Sequence, residues 1–295
     1  MTIKIFNKLN WYKRLIYSML GVKRNYNING FSISIDYTHK LPDHQSNHPN
    51  YDKFLPHLVK YLAKDSLVID IGANVGDTLA GMVGSNEKLK YLCIEAAEEF
   101  FNDLEKNIEG LKSQNVDLQI RSTKQFVGKD VDNINLVGKG GTKHAVTDGG
   151  EIKSKTLPHI LRDLNFEKSE LALLKTDVDG FDWDVIRSSY ELLTNYPYIY
   201  FECQYDDHKQ LKNFKEMFTE LQAIGYSNFA FFDNYGNYIC TVNDLDRVHA
   251  LLSYIERQNF YKASRTIHYY DVLAYSSNKI NEVKQIIDKY NKQQL

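Results

Sequence analysis

Two hydrophobic rhythms alternate along this chain. One is the short, continuous apolar run, rich in β-branched residues, of a strand buried on both faces. It recurs at residues 67–71, 90–95, 116–120, 171–177, 198–203, 227–232 and 267–275. The other is apolar spacing of three and four residues, the stripe of an amphipathic helix. It recurs at 52–62, 98–107, 156–164, after 182, and at 209–224, 244–258 and 278–290. Strands alternating with helices predict an α/β fold with a doubly wound, mostly parallel sheet. Regularity fails across residues 122–155, centred on Gly138-Lys139-Gly140-Gly141-Thr142-Lys143-His144. So long an irregular insert reads as a substrate-side loop.

The first fifty residues follow a different pattern. Asn29-Gly30 marks a turn, and Phe31, Ile33, Ile35 and Tyr37 alternate with polar residues as a hairpin arm does. Residues 41–51, with His44 and His48, read as a polar loop able to lie over a pocket. Before them, Ile5, Phe6, Leu9, Tyr12, Ile16, Met19 and Leu20 keep near-helical spacing among Lys4, Lys8, Lys13, Arg14, Lys23 and Arg24, with no acid. Two readings of this segment stand: an amphipathic helix packed on the domain or on a second copy of the chain, or peripheral attachment to an anionic membrane surface. The chain thus divides into an extension, 1–50, and a main domain, 51–295.

Composition narrows the class. With 295 residues, 43% hydrophobic and 25% charged, the chain suits one large α/β domain with additions. A net charge of −2 argues against bulk nucleic-acid binding. Cys93, Cys203 and Cys240 sit in or beside apolar runs without metal-site spacing, as reduced thiols of a cytoplasmic protein would. No stretch approaches transmembrane length.

Candidate chemistry centres on the first main strand, Leu67-Val68-Ile69-Asp70-Ile71, and the turn Gly72-Ala73-Asn74-Val75-Gly76-Asp77-Thr78. A strand, a glycine turn and a helix start form a ligand site beyond the strand's carboxyl end. The glycine spacing is not the G-x-G-x-x-G of nicotinamide and flavin sites, and no Gly-Lys-Ser/Thr completes a P-loop. An acid two residues before the first glycine suits a cationic ammonium group, such as the amino-acid half of S-adenosylmethionine. Glu95 ends the next run, near the offset at which an acid grips ribose hydroxyls.

Further carboxylates end the neighbouring runs: Asp177 with Asp179, and Glu202. Converging acids raise one another's pKa unless a cation sits among them. A sulfonium cofactor, a protonated histidine or a divalent cation on Asp177, Asp179 and Glu202 would supply that charge; the spacing fixes no metal geometry, so no metal ligand is assigned. Asp182 and Asp184 read as solvated helix-start acids. Methyl transfer to a hydroxyl requires alignment and removal of a proton. Asp177, Asp179, Glu202, His144 and His208 are the catalytic candidates.

Four segments together resemble the FkbM-like family of S-adenosylmethionine-dependent methyltransferases. They are Val68-Ile69-Asp70-Ile71-Gly72-Ala73-Asn74-Val75-Gly76-Asp77-Thr78, Cys93-Ile94-Glu95, Leu174-Lys175-Thr176-Asp177-Val178-Asp179-Gly180-Phe181-Asp182, and Ile199-Tyr200-Phe201-Glu202. Tyr269-Tyr270-Asp271-Val272-Leu273-Ala274 is similar to the closing strand of members found among surface-polysaccharide genes. The resemblance implies a class I methyltransferase fold (Rossmann-like), whose seven-stranded sheet has an antiparallel last strand. It implies that Asp70, Gly72, Asn74, Gly76, Thr78 and Glu95 line the cofactor site, with Ala73, Asp77, Ala96 and Asp177 beside them. It also implies O-methylation, often of sugars. The chain departs from the family pattern in Ala96, where proline is common, and in Asp179 and Asp182, where glutamate is common. The expected partner is therefore a hydroxyl acceptor, a glycan or its precursor, or else a small secondary metabolite. A non-catalytic binding module is the rival outside enzymes, and association into a homo-oligomer is left open.

Overall fold

The computed structural model describes residues 2–129, 132–137, 144–146, 152–166, 169–260 and 266–293. The chain opens with helix α1 (Thr2–Met19), followed by the hairpin strands β1 (Lys23–Ile28) and β2 (Phe31–Asp36). Two short helices follow, α2 (Leu41–Asn47) and α3 (Phe54–Val59). The main domain then runs β3 (Leu67–Ile71), α4 (Asp77–Val83), β4 (Lys90–Glu95), α5 (Glu98–Gln114), β5 (Gln119–Lys124). An insert supplies β6 (Phe126–Val127), β7 (Asp132–Val137), β8 (His144–Val146) and β9 (Ile152–Lys155). Next come α6 (Leu157–Asp163), β10 (Leu171–Thr176), α7 (Asp182–Arg187), β11 (Tyr198–Cys203) and α8 (His208–Ala223). The chain closes with β12 (Asn228–Asp233), β13 (Tyr238–Val242), α9 (Leu245–Phe260), β14 (Tyr270–Tyr275) and α10 (Ile280–Lys292).

The large sheet has the order β13-β12-β14-β11-β10-β3-β4-β5. Strands β11, β10, β3, β4 and β5 pair in parallel, whereas β14 runs antiparallel between β11 and β12. The seven expected strands and the reversed last one are all present. An eighth, β13, is added at the edge, antiparallel to β12.

The period of two along each strand sorts side chains between two layers. Val68, Leu173, Tyr198, Tyr200 and Leu273 pack with the hairpin and with α3, α4, α5 and α10. Leu67, Ile69, Leu174, Ile199, Phe201 and Val272 pack with α6, α7, α8 and α9. Each helix contributes one stripe, such as Leu104, Ile108 and Leu111 of α5. The hairpin belongs to the first layer: Ile28, Phe31, Ile33 and Ile35 are buried there. Asn107 of α5 pins it, accepting from the Ser34 amide at 2.8 Å and donating to the Ser34 carbonyl at 3.0 Å and the Val75 carbonyl at 2.8 Å.

Several expectations need correction. Residues 41–51 are not wholly loop, because Pro42 sits in the first turn of α2 and its Leu41 is buried. The third main strand lies at Gln119–Lys124 rather than 116–120. It is an edge strand with few buried positions, and Val116 lies exposed before it. The insert is not irregular throughout: β6, β9, β7 and β8 form a second sheet. Its strands are short and polar, so no apolar run announces them. Residues 138–143, the centre of the expected loop, lie outside the described residues. Strand β13 is an addition that no apolar run announces, because its more buried positions alternate with exposed ones. Asp182 and Asp184 are buried, not solvated. Asp182 accepts from the Thr176 hydroxyl at 3.0 Å, and Asp184 accepts from the Lys129 amide at 2.9 Å.

Candidate active site

The carboxyl ends of β3, β4, β10 and β11 meet the start of β14 at a cleft of about 420 Å³. One end is built by the glycine turn. Gly72 has φ +73, and a Cβ there would stand 1.9 Å from the Asp177 carbonyl oxygen. Only glycine lets the end of β3 nest against the chain leaving β10. Gly76, φ +86, precedes α4, and a Cβ there would meet Leu104 at 2.9 Å. Asn74 between them also has positive φ, and its amide donates to Glu95 at 2.9 Å. The other Glu95 oxygen accepts from the Ala97 amide at 2.8 Å. Burial raises the Glu95 pKa, and these amides partly offset it by stabilising the charge. A carboxylate held at both oxygens by backbone amides is fixed in place, and each oxygen keeps a lone pair for a ligand hydroxyl.

Gly72, Asn74, Asp77, Thr78, Glu95, Ala96 and Asp177 of the expected cofactor set line the cleft. Ala73 and Gly76 do not; they shape the turn behind it. Asp70 does not line the cleft either, which corrects its reading as a ligand for a cationic group. Its buried carboxylate lies 2.8 Å from the Lys175 ammonium, directly across the β3–β10 register. Burial alone would lower the Lys175 pKa, but the charges of Asp70 and Asp177 outweigh it and raise the pKa. Lys175 also donates to the Gly72 carbonyl at 3.1 Å. Asp70 therefore acts on the turn through Lys175. A lysine inside the buried run Leu173-Leu174-Lys175 was the available signal, since a buried ammonium requires a facing acid.

The opposite wall is acidic. Asp52, Asp177, Asp179, Glu202 and Asp271 all line the cleft. Glu202 of β11 pairs with Asp271 of β14 across the antiparallel register, so two acids face each other on one side of the sheet. Burial, and then the charges of Asp177 and Asp179, push Glu202 well above the usual carboxylate range. Asp271 is raised likewise by burial and by Asp177. The buried Glu202 Oε1 has no hydrogen-bond partner among the described residues. Beneath it a polar void of about 30 Å³ lies between Asp52, Lys175, Tyr200, Glu202 and Asp271. The remaining lining includes Tyr51, Phe100 and Tyr269, with His39, Lys40 and His44 from the lead into α2 and its first turns. Sequence reasoning missed Tyr51, Asp52, Lys175 and Asp271 as site residues, and it had placed His44 only over a pocket.

The structure does not bring His208 to this cleft. It starts α8, largely exposed, with Nδ1 3.4 Å from Glu256 and its ring edge-on to Phe260. The geometry of α8, capped by Asp207, turns it toward α9. His144 lies in β8 of the insert, paired in register with Val137, and its side chain is outside the described residues. Among the described residues, no three His, Cys, Asp or Glu side chains are grouped as metal ligands.

The model of the methyltransferase FkbM domain matches residues 70–227, more than half of the chain. The chain belongs to this family. With it come a class I methyltransferase fold and dependence on S-adenosylmethionine. No curated protein matches the sequence. Among solved structures, the methyltransferase FkbM of Methylobacillus flagellatus KT is 14% identical, at a TM-score of 0.35. That alignment covers 56% of this chain and 48% of the other, so the chain spans about half the length of that relative. A precorrin-6y C5,15-methyltransferase of Geobacter metallireducens GS-15 is 12% identical, covering 76% and 87% at a TM-score of 0.39. A SAM-dependent O-methyltransferase of Thermotoga maritima is 13% identical, covering 76% and 64% at 0.41.

The residues present fit the family's cofactor. Lys175 is shared between Asp70 at 2.8 Å and Asp177 at 3.6 Å, so among the described residues the five acids of the opposite wall outnumber the lysines that line the cleft, Lys40 and Lys175. A sulfonium and an ammonium meet that demand. Glu95 and the Gly72–Thr78 turn supply the fixed acceptor and the close backbone that a nucleoside needs.

Proposed function

We propose that this FkbM-family domain methylates a hydroxyl of a glycan or glycan precursor. The observation that carries this reading is Glu202, a buried residue lining the acid-walled cleft whose Oε1 has no hydrogen-bond partner among the described residues. Bound S-adenosylmethionine supplies a methyl group activated by its sulfonium. A hydroxyl oxygen that takes that methyl must release its proton. Glu202 lines the cleft, and its raised pKa suits it to hold that proton. Asp177 and Asp179, at the β10 exit, hold the acceptor hydroxyls by accepting hydrogen bonds. Asp179 sits there in a left-handed conformation, φ 51, that fixes its direction.

The rest of the wall supports a sugar. Tyr51, Phe100 and Tyr269 put aromatic side chains into the lining, as suits the apolar side of a pyranose. Gln125, Gln204, His39 and Lys40 offer donors and acceptors for its hydroxyls. The test is methyl transfer from isotopically labelled S-adenosylmethionine to a panel of oligosaccharides, nucleotide sugars and small phenols, read by mass spectrometry of the products. A methyl ether on a sugar oxygen is expected. Label only in phenols, or only on nitrogen or carbon, would overturn the sugar-hydroxyl reading.

A further inference from the structure

From residue 11 on, helix α1 turns a mostly apolar side to solvent. Trp11, Tyr12 and Ile16 are each more than half exposed, and Met19 and Leu20 are 80% and 70% exposed. At 100° per residue they share one arc of the helix, with Lys13 at its border. Arg14, Tyr17 and Ser18 occupy the other arc and are partly buried, and Leu15, on the apolar arc between Trp11 and Met19, is partly buried as well. The sequence continues the same spacing back through Leu9 and Ile5, with Lys4 and Lys8 beside them.

What could cover this face is decided by charge. Residues 1–35 contain six bases and no acid. Two copies packed along this stripe would bring lysines together with no carboxylate in either helix to pair them. An anionic lipid surface meets both demands, apolar depth and negative charge. The aromatic pair Trp11 and Tyr12, with ring centroids 5.2 Å apart, suits the headgroup level, where amphipathic rings settle. No helix among the described residues is long and apolar enough to cross a membrane, so α1 would lie in the surface plane.

We propose that α1 docks the enzyme on an anionic bilayer through Trp11, Tyr12, Ile16, Met19 and Leu20, flanked by its basic residues. The docked helix is tied to the active site. Arg14 grips Asp43 of α2 with both guanidinium nitrogens, the longer bond being 3.0 Å, and Tyr17 packs on Tyr37 with centroids 4.8 Å apart. Residues 39–41 and His44, next to Asp43, line the cleft. The mouth of the site is thereby held near the surface on which α1 rests. An acceptor carried on a membrane lipid would reach the cleft without leaving the bilayer.

The full chain carries its own probe. Of its two tryptophans, Trp183 is buried and Trp11 exposed, so a spectral change on vesicle binding reports α1. Titration with phosphatidylglycerol vesicles should shift the fluorescence to the blue, and brominated lipid should quench it. Phosphatidylcholine vesicles should do neither at the same concentration, and raised ionic strength should weaken binding. The triple variant Ile16→Ser, Met19→Ser, Leu20→Ser should sediment with phosphatidylglycerol at least about tenfold less well. Its unchanged affinity for S-adenosylhomocysteine would show that the fold is intact. Undiminished sedimentation of this variant overturns the proposal. So does a wild-type dimer that the variant converts to monomer, with no vesicle binding by either.

Discussion

Glu202 and Asp271 face each other across β11 and β14, two acids in directly opposed positions at the mouth of the cleft. Like charges so placed repel, and burial adds to the cost of ionising them. Asp182, buried beneath, is pushed from 3.8 to about 8 by burial and by Asp177. A carboxyl with a raised folded-state pKa retains its proton in the folded protein at pH values where the unfolded chain has lost it. Stability is therefore greatest near the unfolded pKa and falls as pH rises toward the folded one. The ligand-free protein should lose thermal stability between about pH 5 and pH 8. Melting scans across that window check it, and Asp182→Asn should flatten the slope. A melting temperature that is level or rises in wild type would contradict this account.

Removing the buried Lys175 cation should be costly. Lys175→Met leaves Asp70 charged or protonated without its partner and releases the Gly72 carbonyl. The expected loss is about 3–5 kcal/mol, since the partner of a broken buried pair stays uncompensated. Adding Asp70→Asn should recover part of it. Urea unfolding of the single and double variants measures this, and full stability in Lys175→Met would refute the pairing.

Glu95→Ala should weaken S-adenosylhomocysteine binding by about ten- to a hundredfold, because it frees the Asn74 and Ala97 amides from their acceptor and removes the carboxylate a ribose would meet. Isothermal titration reads the affinity directly. An unchanged dissociation constant would remove Glu95 from the cofactor site.

Glu202→Gln should keep that affinity and lose turnover by about a hundred- to ten-thousandfold, the usual worth of a proton acceptor. In wild type the turnover number should rise with pH, because the raised carboxyl pKa leaves the base protonated at low pH. A pH-independent turnover number with full activity in Glu202→Gln would assign the proton elsewhere.

His208→Ala should leave turnover unchanged and alter stability by no more than about 0.5 kcal/mol, as befits an exposed residue. Steady-state kinetics on the acceptor found active in the labelling panel decide it, and a loss of turnover would mean that α8 reaches the site during reaction.

The sequence made the buried half of this fold legible and the exposed half much less so. Leu67–Ile71 and Tyr198–Cys203 are central strands with both faces covered, so an apolar run marks each of them. Gln119–Lys124 and Tyr238–Val242 are edge strands whose outer positions face water, which erases the run. The same limit applies to the site. The glycine turn and Glu95 were visible because backbone geometry dictates residue type there. Asp52, on the approach to α3, carries no such local signature. Asp70 was visible as an acid but not as a partner, because the register that brings Lys175 opposite it arises only when β3 and β10 pair. His208 was misplaced because distance along the chain from β11 says little about the direction of a side chain on the next helix.

Asn107 holds both the hairpin, through Ser34, and the cofactor turn, through Val75. One amide side chain is thus common property of two regions with different sequence character. The hairpin cannot be shed over evolutionary time as an ornament while the turn is kept. Its loss would leave Asn107 with unmet donor and acceptor capacity against the backbone of the glycine turn, so drift in either region is answerable to the other.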